Sequence, residues 1–334
     1  MPLKLARKDP GVASVADADG RTLLACPACR GELAPDWGCQ ACGMAFAAPD
    51  GVPALRLPGD ARTETVRNFY TETPFPNYPP RASLGWLRAR ADRSEFARLL
   101  DAAIPPGARV VEVGCGTGQM SLYLARHGRQ VVGADLTRAS LLLAAQAAAR
   151  FRIDGVSFVE MDLTRPALRR RAFDVVYCSG VLHHTPDPRA AFAQIAELAR
   201  PGGLIILGLY NAVARLPLRL RRAVARVTGE RWIPFDPVLR DRAAEPERRA
   251  AWLRDQYRHP EEHRHTLGEV RRWFAENQVA LVRSYPPSSS GREVGSLLEP
   301  EDDPWMLGDW MTQLGWISSL GGEGGLFVTI GRAS

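Results

Sequence analysis

The sequence predicts an α/β protein: a doubly wound, seven-stranded, mostly parallel sheet with helices on both faces, preceded by a small cysteine-stapled module. Three observations carry this expectation. Short apolar runs alternate with helical patterns from Arg109 to Tyr210, as in a parallel sheet covered on both sides. A capped helix and two more strand-like runs follow, separated by irregular stretches. Two C-x-x-C pairs stand near the start of the chain, at metal-ligand spacing.

The 334 residues are 46% hydrophobic and 24% charged, a globular composition long enough for one large core plus a satellite. Residues 1–22 read as a polar lead-in, 23–57 as the cysteine module, and 58–83 as a Pro- and Thr-rich linker carrying Phe69, Tyr70, Phe75 and Tyr78. Residues 84–334 read as the main domain, with insertions at 211–265 and 286–325. A helical pattern from Leu84 to Ala103 ends at Pro105, Pro106 and Gly107, a strong breaker. Strands are expected at 109–113, 130–134, 156–160, 173–178, 204–210, 279–285 and 326–330. Helices are expected at 120–127, 140–150 and 188–199, and from Thr266 to Asn277, where Thr266 and Glu269 form a plausible capping box.

No apolar run approaches the ~20 residues that span a bilayer, and the first residues lack the apolar core of a signal peptide. Of six cysteines, four form the two pairs, while Cys115 and Cys178 lie alone in strand-like runs. That usage suits a reducing compartment, so a cytoplasmic location is expected. The net charge of +6 is localised: residues 1–60 hold six Lys/Arg against seven Asp/Glu, whereas Arg215–Arg231 hold six Arg against one Glu.

Between the first strand and its helix the chain reads Val110-Val111-Glu112-Val113-Gly114-Cys115-Gly116-Thr117-Gly118. Glycines at this turn let the backbone approach a ligand at the strand's carboxyl end. A dinucleotide fingerprint would need a third glycine at 119, where the residue is Gln119. The second strand ends at Asp135, placed to accept hydrogen bonds from ribose hydroxyls. Asp162 follows the third strand.

In order, these features resemble class I S-adenosylmethionine-dependent methyltransferases of the ubiquinone/menaquinone type, which are Rossmann-like. The resemblance covers residues 109–210 and, more weakly, 266–331. It implies that Glu112 helps hold the methionyl ammonium, Asp135 the ribose and Asp162 the adenine amino group. It also implies cofactor contacts at Gly114, Cys115, Gly116, Thr117, Gly118, Gln119, Leu136, Leu163, Cys178 and Ser179, with S-adenosylhomocysteine as product. The side chain of Cys178, inside a strand, reads as a packed core thiol.

Cys26, Cys29, Cys39 and Cys42, flanked by Gly31, Gly38 and Gly43, can place four thiolates on one tetrahedral zinc, a closed structural site. A module this short has too little core to fold unaided, so the metal would supply much of its folding energy. The stretch resembles the zinc-ribbon leaders of some rRNA, tRNA and small-molecule methyltransferases. Disulfides or free thiols are the alternatives. As a satellite, the ribbon is expected to loosen on chelation while cofactor binding survives.

The acceptor is less legible. After strand four, amino-group methylases carry Asn/Asp-Pro-Pro-aromatic, and this chain has Cys178-Ser179-Gly180-Val181. His183 and His184 fall at the expected active-site floor, where one can act as a base near neutral pH or shape the pocket. His259, His263 and His265, with nearby Glu, read as solvated or pocket residues, or as a second metal site. Both insertions leave strands on the cofactor side and are expected to form a substrate cap. In the first, Val213, Leu216, Leu220, Val224 and Val227 repeat at helical spacing, with Arg215, Arg219, Arg222 and Arg226 on other faces and Pro217 setting the start. This basic amphipathic helix can be a cap helix with a solvated Arg face, a peripheral contact with an anionic inner-membrane surface, or an RNA-phosphate contact. Trp305, Trp310 and Trp316, with Phe75 and Tyr78, either line an apolar pocket or staple the cap.

Three functions are weighed. The first is O- or C-methylation of a small or lipidic organic acceptor. The second is rRNA or tRNA methylation with the ribbon holding RNA, against which its slight acidity counts. The third is a non-catalytic adaptor, disfavoured because each cofactor position is filled.

Overall fold

The strand runs are rich in Val and buried along most of their length, which is what a sheet covered on both faces demands. In the computed structural model they are β1 (Arg109–Val113), β2 (Gln130–Asp135), β3 (Val156–Glu160), β4 (Phe173–Ser179), β5 (Ala199–Tyr210), β6 (Val279–Tyr285) and β7 (Leu326–Ala333). The structure describes residues 18–72, 74–76, 78–79, 82–229, 232–236, 239, 249, 252–254, 256–257, 262–287, 294–301, 306–320 and 324–334. The sheet order is β3-β2-β1-β4-β5-β7-β6. β1 to β5 pair in parallel, and β7 is antiparallel to both β5 and β6. The chain therefore leaves β1 toward β2 and later crosses to β4, so a crevice opens at the carboxyl ends where the order reverses.

Among the described residues the α-helices of six or more residues are α1 (Ala61–Glu72), α2 (Leu84–Ala91), α3 (Glu95–Ala103), α4 (Gln119–Leu124), α5 (Arg138–Phe151), α6 (Pro188–Ala196), α7 (Leu216–Thr228), α8 (Leu267–Glu276) and α9 (Met306–Ser319). Alternate strand residues feed two cores. Val110 and Val131 pack with Leu100 of α3, Leu122 of α4 and Leu141 and Ala144 of α5 on one face. Val111 and Val132 pack with Phe192 and Ile195 of α6 and Val270 and Phe274 of α8 on the other. Phe192 stacks on Phe274 at 5.3 Å. Truncating so buried an aromatic costs about 3–5 kcal/mol.

Three expectations change. The helix read as 84–103 is two, because Ser94 accepts a hydrogen bond from the Ala97 backbone N–H at 3.3 Å and starts α3 anew. The linker contains α1, opened by Asp60, whose carboxylate accepts from the Thr63 N–H at 2.8 Å. The third concerns the cysteine module, which is no satellite. Leu23, Leu24, Cys26, Leu33, Cys39 and Leu55 belong to the same buried cluster as Val113, Met161 and Leu168. Leu24 bridges Leu168, and Ala54 pairs in parallel with Glu160 at the end of β3. The lead-in before residue 18 lies outside the described residues, as do Arg231, His259 and Trp305.

Candidate active site

Beyond the carboxyl ends of β1, β2 and β4 lies a cavity of about 1420 Å³, larger than the ~300–1,000 Å³ of a typical ligand pocket. One wall carries Glu112, Gly114, Cys115, Gly116, Gln119, Asp135, Leu136, Asp162, Leu163 and Ser179. Of the other cofactor and catalytic candidates singled out from the sequence, all but His184 fall elsewhere. Thr117 is buried beneath the glycine turn, and Gly118 caps α4 in a left-handed conformation. Cys178 is buried in the core between sheet and α6, because its position in β4 points it away from the cavity; burial raises its thiol pKa. His183 is fully buried, stacked on Tyr210 at 3.8 Å. His184 reaches the cavity wall.

The glycine turn is closed by protein rather than left open. Gly116 has φ 53°, and a Cβ there would meet the Phe75 carbonyl at 2.3 Å. At Gly114 and Gly118 the missing side chains make room for Val181 and for Ala144 and Phe158. The linker clasps the turn. Thr117 N–H donates to the Phe75 carbonyl at 3.3 Å, its hydroxyl donates to the Pro76 carbonyl, and Tyr78 O–H donates to the Thr117 carbonyl at 2.7 Å. Sequence reasoning marked Phe75 and Tyr78 as aromatic, but these bonds depend on backbone groups that carry no residue signature.

The acids differ in setting. Asp135 accepts from the Gly116 N–H and the Thr137 N–H, both at 2.8 Å. Burial raises its pKa, and those two N–H groups oppose the rise. A carboxylate offers about four acceptor sites, more than these donors occupy. Asp162 accepts from the Thr164 N–H at 2.8 Å and its hydroxyl at 2.7 Å, an arrangement that fixes the loop after β3. Glu112 is buried, accepts from the Ser121 hydroxyl of α4, and has its pKa pushed up to about 8, by burial first and by the Asp135 charge as well.

The far wall combines Tyr70 of α1, Trp86 of α2, Tyr210 and Tyr285 at the ends of β5 and β6, and Trp252 and Gln256 of the first insertion. Of the expected cap aromatics, Phe75 and Tyr78 line the cavity, Trp316 packs on Phe327 at 5.2 Å, and Trp310 is exposed. Behind this wall, Arg215 is 1% exposed; it lies 3.5 Å from the Tyr210 ring centroid and pairs with Glu262 at 2.8 Å. Arg222 binds both oxygens of Glu262 at 2.9 and 2.6 Å. Burial pushes Glu262 up, but Arg222 and Arg215 hold its pKa below the usual range. Gln256 donates to the Tyr210 hydroxyl at 3.0 Å. Two of the arginines read as a charged face are thus internal.

Cys26, Cys29, Cys39 and Cys42 bring their sulfurs within 4.8 Å of one another. Ligands about 2.3 Å from a tetrahedral centre stand ~3.8 Å apart, and the Cys26–Cys42 and Cys29–Cys39 sulfurs lie 3.8 and 3.4 Å apart. Among the described residues this is the one cluster of three or more potential ligands. His265 instead pairs with Glu269 at 3.2 Å and packs against Trp273, while the His263 N–H donates to the His183 carbonyl.

Residues 111–207 match a family described as a methyltransferase domain. That stretch runs from β1 into β5 and contains the glycine turn, Asp135 and Asp162. An uncharacterised protein of Synechococcus is 28% identical over 64% of this chain and 58% of its own length. A ubiquinone biosynthesis O-methyltransferase of Hahella chejuensis is 38% identical over 32% of this chain and 44% of its own. The chain thus spans about half the length of these relatives. Among solved structures, the magnesium protoporphyrin IX methyltransferase of Synechocystis with bound SAH is 18% identical, over 82% of this chain and all of its own, with a TM-score of 0.49.

Proposed function

We propose that this protein is an S-adenosylmethionine-dependent methyltransferase acting on the oxygen or carbon of a small or lipidic organic molecule. The carrying observation is one cavity of about 1420 Å³ with three acids and a glycine turn on one wall and aromatic residues on the other. The donor set fits the cofactor. Asp135 has free acceptor capacity for a ribose diol, Asp162 sits one strand further along for the adenine amino group, and Glu112 offers a buried carboxylate to an ammonium. The bound cofactor supplies an electrophilic methyl group. The remaining volume accommodates a second molecule, and an aromatic wall suits an apolar body better than a polyanion.

The chain's own contribution is mostly positioning and exclusion of water. Tyr210, held by Gln256 and Arg215, gives the acceptor a stiff wall. His184 is the candidate base for an acceptor proton, since it lines the cavity and His183 does not. The four cysteines fit a structural zinc, which would tie the two knuckles together and take no part in the reaction.

Incubation with methyl-labelled cofactor and fractionated cell extract, counting lipid, RNA and protein phases separately, tests the reading. Label in the organic phase is the expected result. Label in RNA would shift the acceptor to nucleic acid, and absence of label from every fraction would refute the activity.

A further inference from the structure

We propose that α7 is an interfacial helix that docks the protein on an anionic lipid bilayer. On a surface helix, apolar residues face the core and charges face water. α7 departs from this on both sides. Its inner side carries Leu218 and Ala225 together with Arg215 and Arg222, whose charges are spent on Glu262. Its outer side carries Leu216, Leu220, Ala223 and Val227; Leu220 is 71% and Val227 88% exposed. At about 100° per residue these four fall within a sector of roughly 60° and form a stripe about 17 Å long.

Charge selects the occupant. Arg219 and Arg226, both exposed, flank the stripe on one side. No acidic residue occurs between Leu216 and Gly229. Just beyond the helix, Trp232 is 61% and Phe235 76% exposed. The backbone N–H and carbonyl of Trp232 both bond the Thr228 hydroxyl, folding this segment back onto the helix end. Apolar stripe, flanking arginines and interfacial aromatics together match a helix lying in the headgroup layer of anionic lipids. Among the described residues no helix is long and apolar enough to cross a membrane, so contact is with one surface. Through Arg215 the helix backs onto Tyr210, so docking sets the cavity beside the lipid.

This inference stands apart from the methyl-transfer reading and is tested by binding alone. The full chain is sedimented with large vesicles of phosphatidylcholine, with and without phosphatidylglycerol, at low and high salt. Binding to the anionic vesicles only, weakened by salt, is expected. Arg219→Gln with Arg226→Gln lowers the partition coefficient by roughly thirtyfold, and Leu220→Ser with Val227→Ser abolishes sedimentation. Because these side chains are exposed, melting temperatures stay as in the wild type, which separates lost docking from lost folding. Failure to bind anionic vesicles, or equal binding to neutral ones, overturns the proposal. So does a dimer by light scattering that Leu220→Ser dissociates.

Discussion

Asp135 is tied to the protein before any ligand arrives. Its two backbone partners, Gly116 and Thr137, lie in the turns after β1 and β2, so the carboxylate is held in place without a rotamer cost on binding. Asp135→Ala is expected to weaken S-adenosylhomocysteine binding by at least a hundredfold in calorimetry, because both the acceptor and the anchor of the glycine turn are lost. Unchanged affinity would remove the site assignment. Glu112 gives a pH signature. Its pKa of about 8, raised by burial, leaves it mostly protonated at pH 7, and a ligand ammonium favours the ionised form. Binding therefore expels a proton, and affinity rises with pH up to about 8 and then levels off. The unliganded protein loses stability as pH rises from about 4.5 to about 8, since the unfolded chain gives up this proton first. Enthalpies measured in buffers of different ionisation heat should show the release in the wild type and not in Glu112→Gln. The acids and the glycine turn were readable because strand, turn and residue are adjacent in sequence. The clasp of Phe75 and Tyr78 on Thr117 was not, because it joins groups about 40 positions apart through main-chain oxygens.

At the scale of the element, α7 shows what periodicity can and cannot say. The repeat of Leu216, Leu220 and Val227 located the helix and its start near Pro217. It could not say which face turns inward, because that depends on Glu262, a single residue in a distant loop. The Arg215–Glu262–Arg222 group is accordingly sensitive. Glu262→Gln leaves buried guanidinium charge uncompensated, at a cost of about 3–5 kcal/mol, and the melting temperature should fall by roughly 10 °C. A shift below 2 °C would mean that the cap is not stapled there. The helix read as 84–103 failed for a simpler reason: a serine cap in mid-run outweighs continuous helical propensity.

For the whole molecule, the succession of strands along the chain and the doubly wound layout were legible, since most strands are short apolar runs bounded by turns, whereas β5 begins five residues earlier than its apolar run, at Ala199. The relation between ribbon and sheet was not, since the joining contacts are isolated bridges rather than a patterned segment. That relation argues that the cysteine module and the candidate site are coupled, against the expectation that chelation spares cofactor binding. Residues 52–55 run beside the end of β3, and Glu160 there is ringed by Arg56, Arg67 and Arg138 at 3.4–4.0 Å, one position before Met161 and the loop holding Asp162. Stripping the metal should therefore reduce S-adenosylhomocysteine affinity several-fold in calorimetry while the sheet persists by circular dichroism. Full affinity in the demetallated protein would show that the knuckles fold apart from the cleft.

The shared core also limits how the protein can be dissected. Leu168 meets Leu24, and Met161 lies in the same buried cluster as Leu55. A chain cut to begin at Leu84 would present a raw oily flank and an unprotected strand margin at β3, the kind of surface on which polypeptides clump. The sheet and its cysteine-bearing leader must be made, purified and inherited as one piece.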